Sequence, residues 1–347
     1  AQATVPTQLN RLLLYATIAP MEDTSSRWGI IGHGWAVRLL ERSVALGQLS
    51  HAYLLLGPPR VGKTALTIAL AMAINCQGEQ PPCRQCRTCR LIAAGHHPDV
   101  RLIEGGEARA IHIAQVREVQ HEVGLSPVEA RRRVVIFTDF QGATAEAANC
   151  LLKTLEEPPG QAVLILTASQ QARVLPTIVS RCQRLTLRPP SSATIAQGLV
   201  SLYGADPDLA RRLAHLAAGR VGWAVEAVRD GTLLQQREER LSRLEQVLAA
   251  GRRGRLHWAK DLSENEEELP SLLDCWLGWW RDLLLTRVGC SDLIDNVDRR
   301  EVLETEAARR SVPELVSGLR ALSATRRRLE SNANPRLALE VLFLSLD

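Results

Sequence analysis

Between a short apolar run and an alanine-rich stretch, the chain carries Gly57-Pro58-Pro59-Arg60-Val61-Gly62-Lys63-Thr64. This is the spacing of a phosphate-binding loop, in which backbone N–H groups cradle phosphates, Lys63 reaches the β/γ-phosphates and Thr64 ligates magnesium. Such a loop works only between a buried strand and a helix whose N-terminus faces the anion. Both neighbours are legible. Tyr53-Leu54-Leu55-Leu56 reads as the strand, and Ala65 to Ile74 as the helix. The expected ligand is ATP or ADP with magnesium; a turn that binds nothing is the plain structural alternative.

Directly after that helix come Cys76, Cys83, Cys86 and Cys89. Four soft ligands in so short a span can close tetrahedrally on zinc. With no histidine or carboxylate in the set, no coordination position stays open, which makes the expected metal structural rather than catalytic. Free surface thiols or a redox group are the alternatives. Disulfides are disfavoured in the reducing compartment where nucleotide-binding chains usually work, so the cytoplasm is expected. Cys150, Cys182, Cys275 and Cys290 read as packing residues.

A chain of 347 residues exceeds one ordinary core, and 46% apolar content is enough to fill two or three. A net charge of +4 with 23% charged residues permits nucleic-acid contact without requiring it. The arginine clusters Arg131-Arg132-Arg133, Arg252-Arg253 with Arg255, and Arg326-Arg327-Arg328 read as solvated faces. No apolar run approaches the roughly 18 residues of a membrane span. Residues 1–27, with an apolar stretch at Leu12–Pro20 ahead of Met21, read as a disordered N-terminal extension.

Beyond the cysteines, Asp99–Ile103 reads as a strand, and Ile113–Gly124 as a helix with Val116, Val119 and Val123 on one face. Arg133–Asp139 is a second buried strand, Ala145–Leu155 a helix, and Ala162–Thr167 a third strand. Alternation of this kind around a phosphate loop implies a mostly parallel sheet covered on both faces. His96-His97 beside Asp99 reads as a turn rather than a metal site. Arg188-Pro189-Pro190-Ser191-Ser192 reads as a hinge. A small helical lid follows, with Pro207–Ala217 as one helix and Gly219 as its stop. Only helical patterns appear from about 232 onward. Leu272–Leu285 is apolar on most faces, and Trp276, Trp279 and Trp280 read as bundle core rather than a base-stacking platform.

Four segments carry a resemblance: Leu151 to Pro159, Leu164 to Ser169, Leu175 to Cys182 with its Ser180-Arg181-Cys182, and Asn334 to Leu342. Together with the cysteine knuckle they resemble the clamp-loader branch of the AAA+ ATPases of bacterial DNA polymerase III, over about residues 28–347. The resemblance implies an α/β P-loop AAA+ domain at 28–189 with a zinc module at 76–89. It implies a helical lid at 190–231 and an all-α collar at 232–347. It further implies a hetero-pentamer with tau/gamma and delta subunits that acts on a sliding clamp and reaches primer–template DNA through the complex. Arg181 is implied to be an arginine finger working in trans on a neighbour's γ-phosphate, the plain alternative being a helix-end arginine that satisfies carbonyls. Thr167 is implied to be a sensor-1 residue, the alternative being an ordinary strand-end threonine.

Two departures from that pattern bear on hydrolysis. Hydrolysing members carry an Asp-Glu pair after the Walker B strand, where this chain has Thr138 and Asp139. A neutral hydroxyl replaces the magnesium acid, and Asp139 is shorter than the expected glutamate. Gly219 to Ala224 resembles the sensor-2 helix start, with Gly222 where an arginine would meet phosphates. The expectation is a loader subunit that can bind ATP but hydrolyses little of it. A catalytically active tau/gamma-type ATPase and a zinc-dependent nucleic-acid binder with a vestigial loop are the alternatives. No polymerase constellation is visible.

Overall fold

The computed structural model describes residues 25–105, 110–158, 160–331 and 333–346, so the expected N-terminal extension lies almost wholly outside the described residues. Contacts divide the chain into an α/β unit, running to Leu202 with Arg220–Gly222 added, and a helical unit of Tyr203–Gly219 with the residues from Trp223 onward.

The α/β unit is built on five strands: β1 (Ala52–Leu56), β2 (Val100–Ile103), β3 (Arg133–Phe137), β4 (Ala162–Ala168) and β5 (Gln183–Thr186). They pair in parallel in the order β2-β3-β4-β1-β5. Strands β1, β3 and β4 are buried at every residue, as continuous apolar runs covered on both faces should be. Alternate side chains feed two cores. Tyr53, Leu55, Ile136 and Ile165 point to one, with Trp28, Leu40, Leu66 and Leu70; Leu54, Phe137, Leu164 and Leu166 point to the other, with Val116, Leu151 and Ile178. Strand β5 was not legible in the sequence. It lies at the sheet edge, where only Leu185 is buried while Arg184 and Thr186 face outward, so it lacks an apolar run.

Helices α1 (Gly34–Ala45), α2 (Lys63–Asn75), α3 (Arg87–Ala93), α4 (Ile113–Val123), α5 (Ala145–Glu156), α6 (Pro176–Arg181) and α7 (Ser192–Tyr203) belong to this part of the chain. Helix α2, which leaves the phosphate loop, is buried on nearly every face, and its alanines let the surrounding elements approach closely. Asp99, just ahead of β2, organises the loop that leads into β3. Its carboxylate accepts backbone N–H groups from Val128, Glu129 and Ala130 at 2.8–2.9 Å, and the Arg133 guanidinium at 3.2 Å. Burial opposes the charged form, but those donors and Arg133 hold the carboxyl below its ordinary value. The expectation of a solvated Arg131–Arg133 face is therefore wrong at Arg133, which is buried because Asp99 needs a counter-charge.

The helical unit contains α8 (Pro207–Leu216), most of α9 (Val221–Arg229), α10 (Thr232–Ala249), α11 (Arg252–Ser263), α12 (Leu269–Arg287), α13 (Arg300–Ala308), α14 (Val312–Glu330) and α15 (Pro335–Ser345). Side-chain caps set several boundaries: Asp206 on α8, a Ser311/Glu314 capping box on α14 and Asn334 on α15. Trp276, Trp279 and Trp280 of α12 fill the core with Leu315, Leu322, Leu342 and Phe343. The Trp276 indole donates to Arg240 O at 2.8 Å, which satisfies its one buried polar atom. Where α12 meets α14, a Cβ on Gly318 would lie 2.7 Å from Cε2 of Trp280. Two further arginines expected on solvated faces are anchored instead. Arg255 donates to Ala250 O at 3.1 Å and to Phe343 O at 2.9 Å, and Arg326 pairs with Asp274 at 2.9 Å. Cys290, expected to pack, is exposed because it falls after the end of α12.

Candidate functional site

Residues 57–62 join β1 to α2 through a backbone that few side chains tolerate. Gly57 has φ 151, and a Cβ there would stand 2.5 Å from Leu187 O, which only glycine avoids. Arg60 and Gly62 also have positive φ. The loop is fastened at several points. Gly57 N donates to Ala168 O of β4 at 3.2 Å, Leu187 N to Leu56 O at 2.7 Å, and Gly222 N to Arg60 O at 2.8 Å. Lys63 opens α2 and is buried, with Nζ donating to Gly57 O at 2.8 Å and Pro58 O at 3.0 Å. Burial lowers its pKa, against the opposing charge of Asp139. Pro58, Pro59, Arg60 and Thr64 are exposed. This donor set, at the carboxyl end of a central strand, fits the phosphates of a nucleotide.

The residues expected beside the loop reach it unequally. Thr167 pairs with Leu55 in the β1–β4 register, and its Oγ1 accepts Asp139 N at 3.0 Å. Asp139 has a left-handed backbone and lies close enough to Lys63 to act on its charge. Thr138 turns the other way: its hydroxyl donates to Ile103 O of β2 at 3.3 Å, on the side of β3 away from β4 and β1. Gly222, expected at the sensor-2 position, brings a backbone N–H to Arg60.

One loop partner escaped sequence reasoning. His33, with φ 58, precedes α1 and is buried, and its Nε2 lies 2.9 Å from Val61 O. A carbonyl can only accept, so Nε2 carries the hydrogen. Burial lowers the His33 pKa more than that bond raises it, so the ring is neutral. The flanking Gly32 and Gly34 were its only sequence signal.

Behind α2, the Sγ atoms of Cys76, Cys83, Cys86 and Cys89 all lie within 4.8 Å of one another. Tetrahedral zinc with bonds of about 2.3 Å needs sulfurs about 3.8 Å apart, so a small inward adjustment closes the site. Backbone donors already face the sulfurs: Gly78 N and Cys83 N to Cys76, Cys86 N to Cys83, and Cys89 N to Cys86, at 3.3–3.4 Å. The Cys86 N–H bond is the largest cause that brings the Cys83 thiol down to about 6, into thiolate range. The cluster is compatible with zinc, and it is the one such cluster among the described residues.

Arg181 lies apart from the phosphate loop, at the end of α6. Its guanidinium donates to Thr177 O at 2.9 Å and pairs with Glu156 of α5 at 2.7 Å, on a part-exposed surface. Cys182 beside it is buried, and its thiol is pushed up to about 12.

Family models give these features their setting. The one described as DNA polymerase III, delta subunit, matches residues 32–191, and the one described as DNA polymerase III, delta subunit, C terminal, matches residues 232–347. DNA polymerase III subunit delta' of Bacillus subtilis is 31% identical over 317 residues, covering 89% of this chain and 94% of its own. The chain belongs to the DNA polymerase III delta-prime family. A second delta-prime relative, from Pseudomonas aeruginosa, is 31% identical over 72% of this chain and 76% of its own. DNA polymerase III subunit tau of Bacillus subtilis is 30% identical over 51% of this chain but only 31% of its own length. The resemblance read from Leu151 to Cys182 thus holds, and delta-prime rather than tau is the kin that spans both units. No helix among the described residues is long and apolar enough to cross a membrane.

Proposed function

We propose that this chain is the delta-prime-type subunit of a bacterial replicative clamp loader, working in the cytoplasm as a rigid, weakly hydrolysing member that lends Arg181 to its neighbour. One observation carries the reading. Arg181 stands on the outer surface of α6, bound to Thr177 and Glu156, whereas the chain's own phosphate loop is served by Lys63.

The division of labour follows from the chemistry. Residues 57–64 supply backbone donors and Lys63 for the phosphates of ATP or ADP, and Thr64 is the residue that would ligate magnesium. A magnesium held there would supply charge neutralisation to the phosphates. Position 138 offers no carboxylate to hold it, and its hydroxyl is committed to Ile103. Gly222 supplies no cation, so binding without efficient turnover is expected. Arg181 brings a planar cation suited to the charge that accumulates on a transferring phosphoryl group. Its present partner is an exposed carboxylate, and such pairs hold only about 0–1 kcal/mol, so exchange of Glu156 for a phosphate costs little. Cys76, Cys83, Cys86 and Cys89 would hold a structural zinc. The proposed partners are tau/gamma and delta subunits in a hetero-pentamer, the sliding clamp, and primer–template DNA met through the complex.

The test is reconstitution with presumptive partner subunits. Arg181→Ala should lower the ATPase rate of the assembled complex while the chain keeps its fold and its zinc. An unchanged rate would remove the trans role.

A further inference from the structure

The four-cysteine knuckle sends one side chain out of its own module. Arg84 sits between Cys83 and Cys86 with φ 59, and its guanidinium donates to Trp28 O, fifty-six residues away. The same group fills the space beside Gly29: a Cβ there would lie 2.6 Å from Arg84 Cζ. A second strut runs alongside, from Arg27 to Gln80 at 3.3 Å and to Glu41 at 2.5 Å. Trp28 is fully buried in the same core as Cys76 and Cys89.

The segment held in this way leads straight to the phosphate loop. Gly29, Gly32 and His33 all have left-handed backbones, and the turn they make is closely walled. A Cβ on Gly32 would meet Pro190 at 2.8 Å, and the Ile31 side chain fills the space beside Gly198. At its end, His33 donates to Val61 O inside the loop. A turn with three left-handed residues has little intrinsic preference for its shape, so packing must impose it.

We propose that Arg84 is a positioning residue, which carries the fixed geometry of the cysteine knuckle through Trp28–His33 to Val61 and so presets the phosphate loop for nucleotide. The proposal rests on the reading of that loop as a nucleotide site. It gives the metal centre a task beyond folding its own fourteen residues: the knuckle is an anchor, and Arg84 is the arm that uses it.

The experiment uses the full zinc-loaded chain, with a fluorescent ADP analogue and magnesium as probe. Arg84→Gly removes the guanidinium at a positive φ that glycine adopts freely, so it adds no backbone strain. It should keep its full zinc content yet bind the probe about fivefold to tenfold more weakly, the low end of coupling between distinct sites. Arg84→Lys, which restores a donor of similar reach, should recover most of the affinity; a purely structural loss would show no such recovery. Amide exchange over Trp28–Val37 is the second readout, and it should rise in Arg84→Gly and not in Arg84→Lys. Wild-type affinity in Arg84→Gly would overturn the proposal. Loss of zinc or of the fold in that variant would confine the arm to the knuckle and overturn it equally. Should the unaltered chain bind no probe, the nucleotide reading fails on its own; unchanged exchange over Trp28–Val37 in Arg84→Gly would then overturn the arm, and raised exchange would sustain it.

Discussion

His33 shows how one residue ties chemistry to stability. Its folded pKa lies below the ordinary 6.5 because burial disfavours the charged ring. As pH falls through that ordinary value, the unfolded chain takes up a proton that the folded chain refuses. The unfolded state then binds more protons, so stability declines with falling pH, and the contribution is whole only above the ordinary value. Asparagine tolerates a left-handed backbone, so His33→Asn keeps the turn while deleting the titration. Between about pH 7.5 and about pH 5.5, the urea midpoint of the wild type should fall by more than that of the variant. Parallel profiles would show that His33 does not titrate between the two states. The sequence marked the residues whose pattern is local, namely Lys63 in its loop, the four cysteines and Thr138-Asp139 at the end of β3. It hid those whose role comes from contact across the fold. His33, Arg84 and Arg133 are ordinary in their neighbourhoods and gain meaning only from Val61, Trp28 and Asp99.

At the scale of elements, the central strands β1, β3 and β4 were legible because burial on both faces writes an uninterrupted apolar run. The edge strand β5 was not, since an edge alternates and leaves polar groups outward. Among the helices, the three tryptophans of α12 announced a packed bundle, but the fit at α14 was invisible. Gly318 looks like a weak point, since alanine in a helix interior is favoured over glycine by about 1 kcal/mol. Space decides the other way. An added methyl would press on the Trp280 ring, and overpacking a core of this kind costs about 1–3 kcal/mol. Gly318→Ala should therefore lower the melting temperature of the helical unit by several degrees, read by calorimetry. A higher melting temperature would mean that Trp280 has room to turn aside.

For the molecule as a whole, the cores of the two units have separate memberships, and residues 57–64 lie in the same unit as Thr138 and Asp139. On the proposed reading, catalysis in the assembled loader comes chiefly from other subunits. The isolated chain, given primed DNA and clamp, should turn over ATP more than about tenfold more slowly than the complete complex, since it lacks both the metal carboxylate and a donated arginine. A steady-state rate inside that margin would make this chain a motor in its own right.

The chain passes from one unit to the other three times, after Leu202, after Gly219 and after Gly222. No single cut can therefore separate them cleanly. A fragment stopped at Leu202 would forfeit Gly222, whose amide closes over Arg60 at the tip of the loop. Nucleotide affinities taken from such a trimmed protein would describe a loop with one of its fastenings undone, and dissection of this subunit has to proceed by point substitution rather than by scissors.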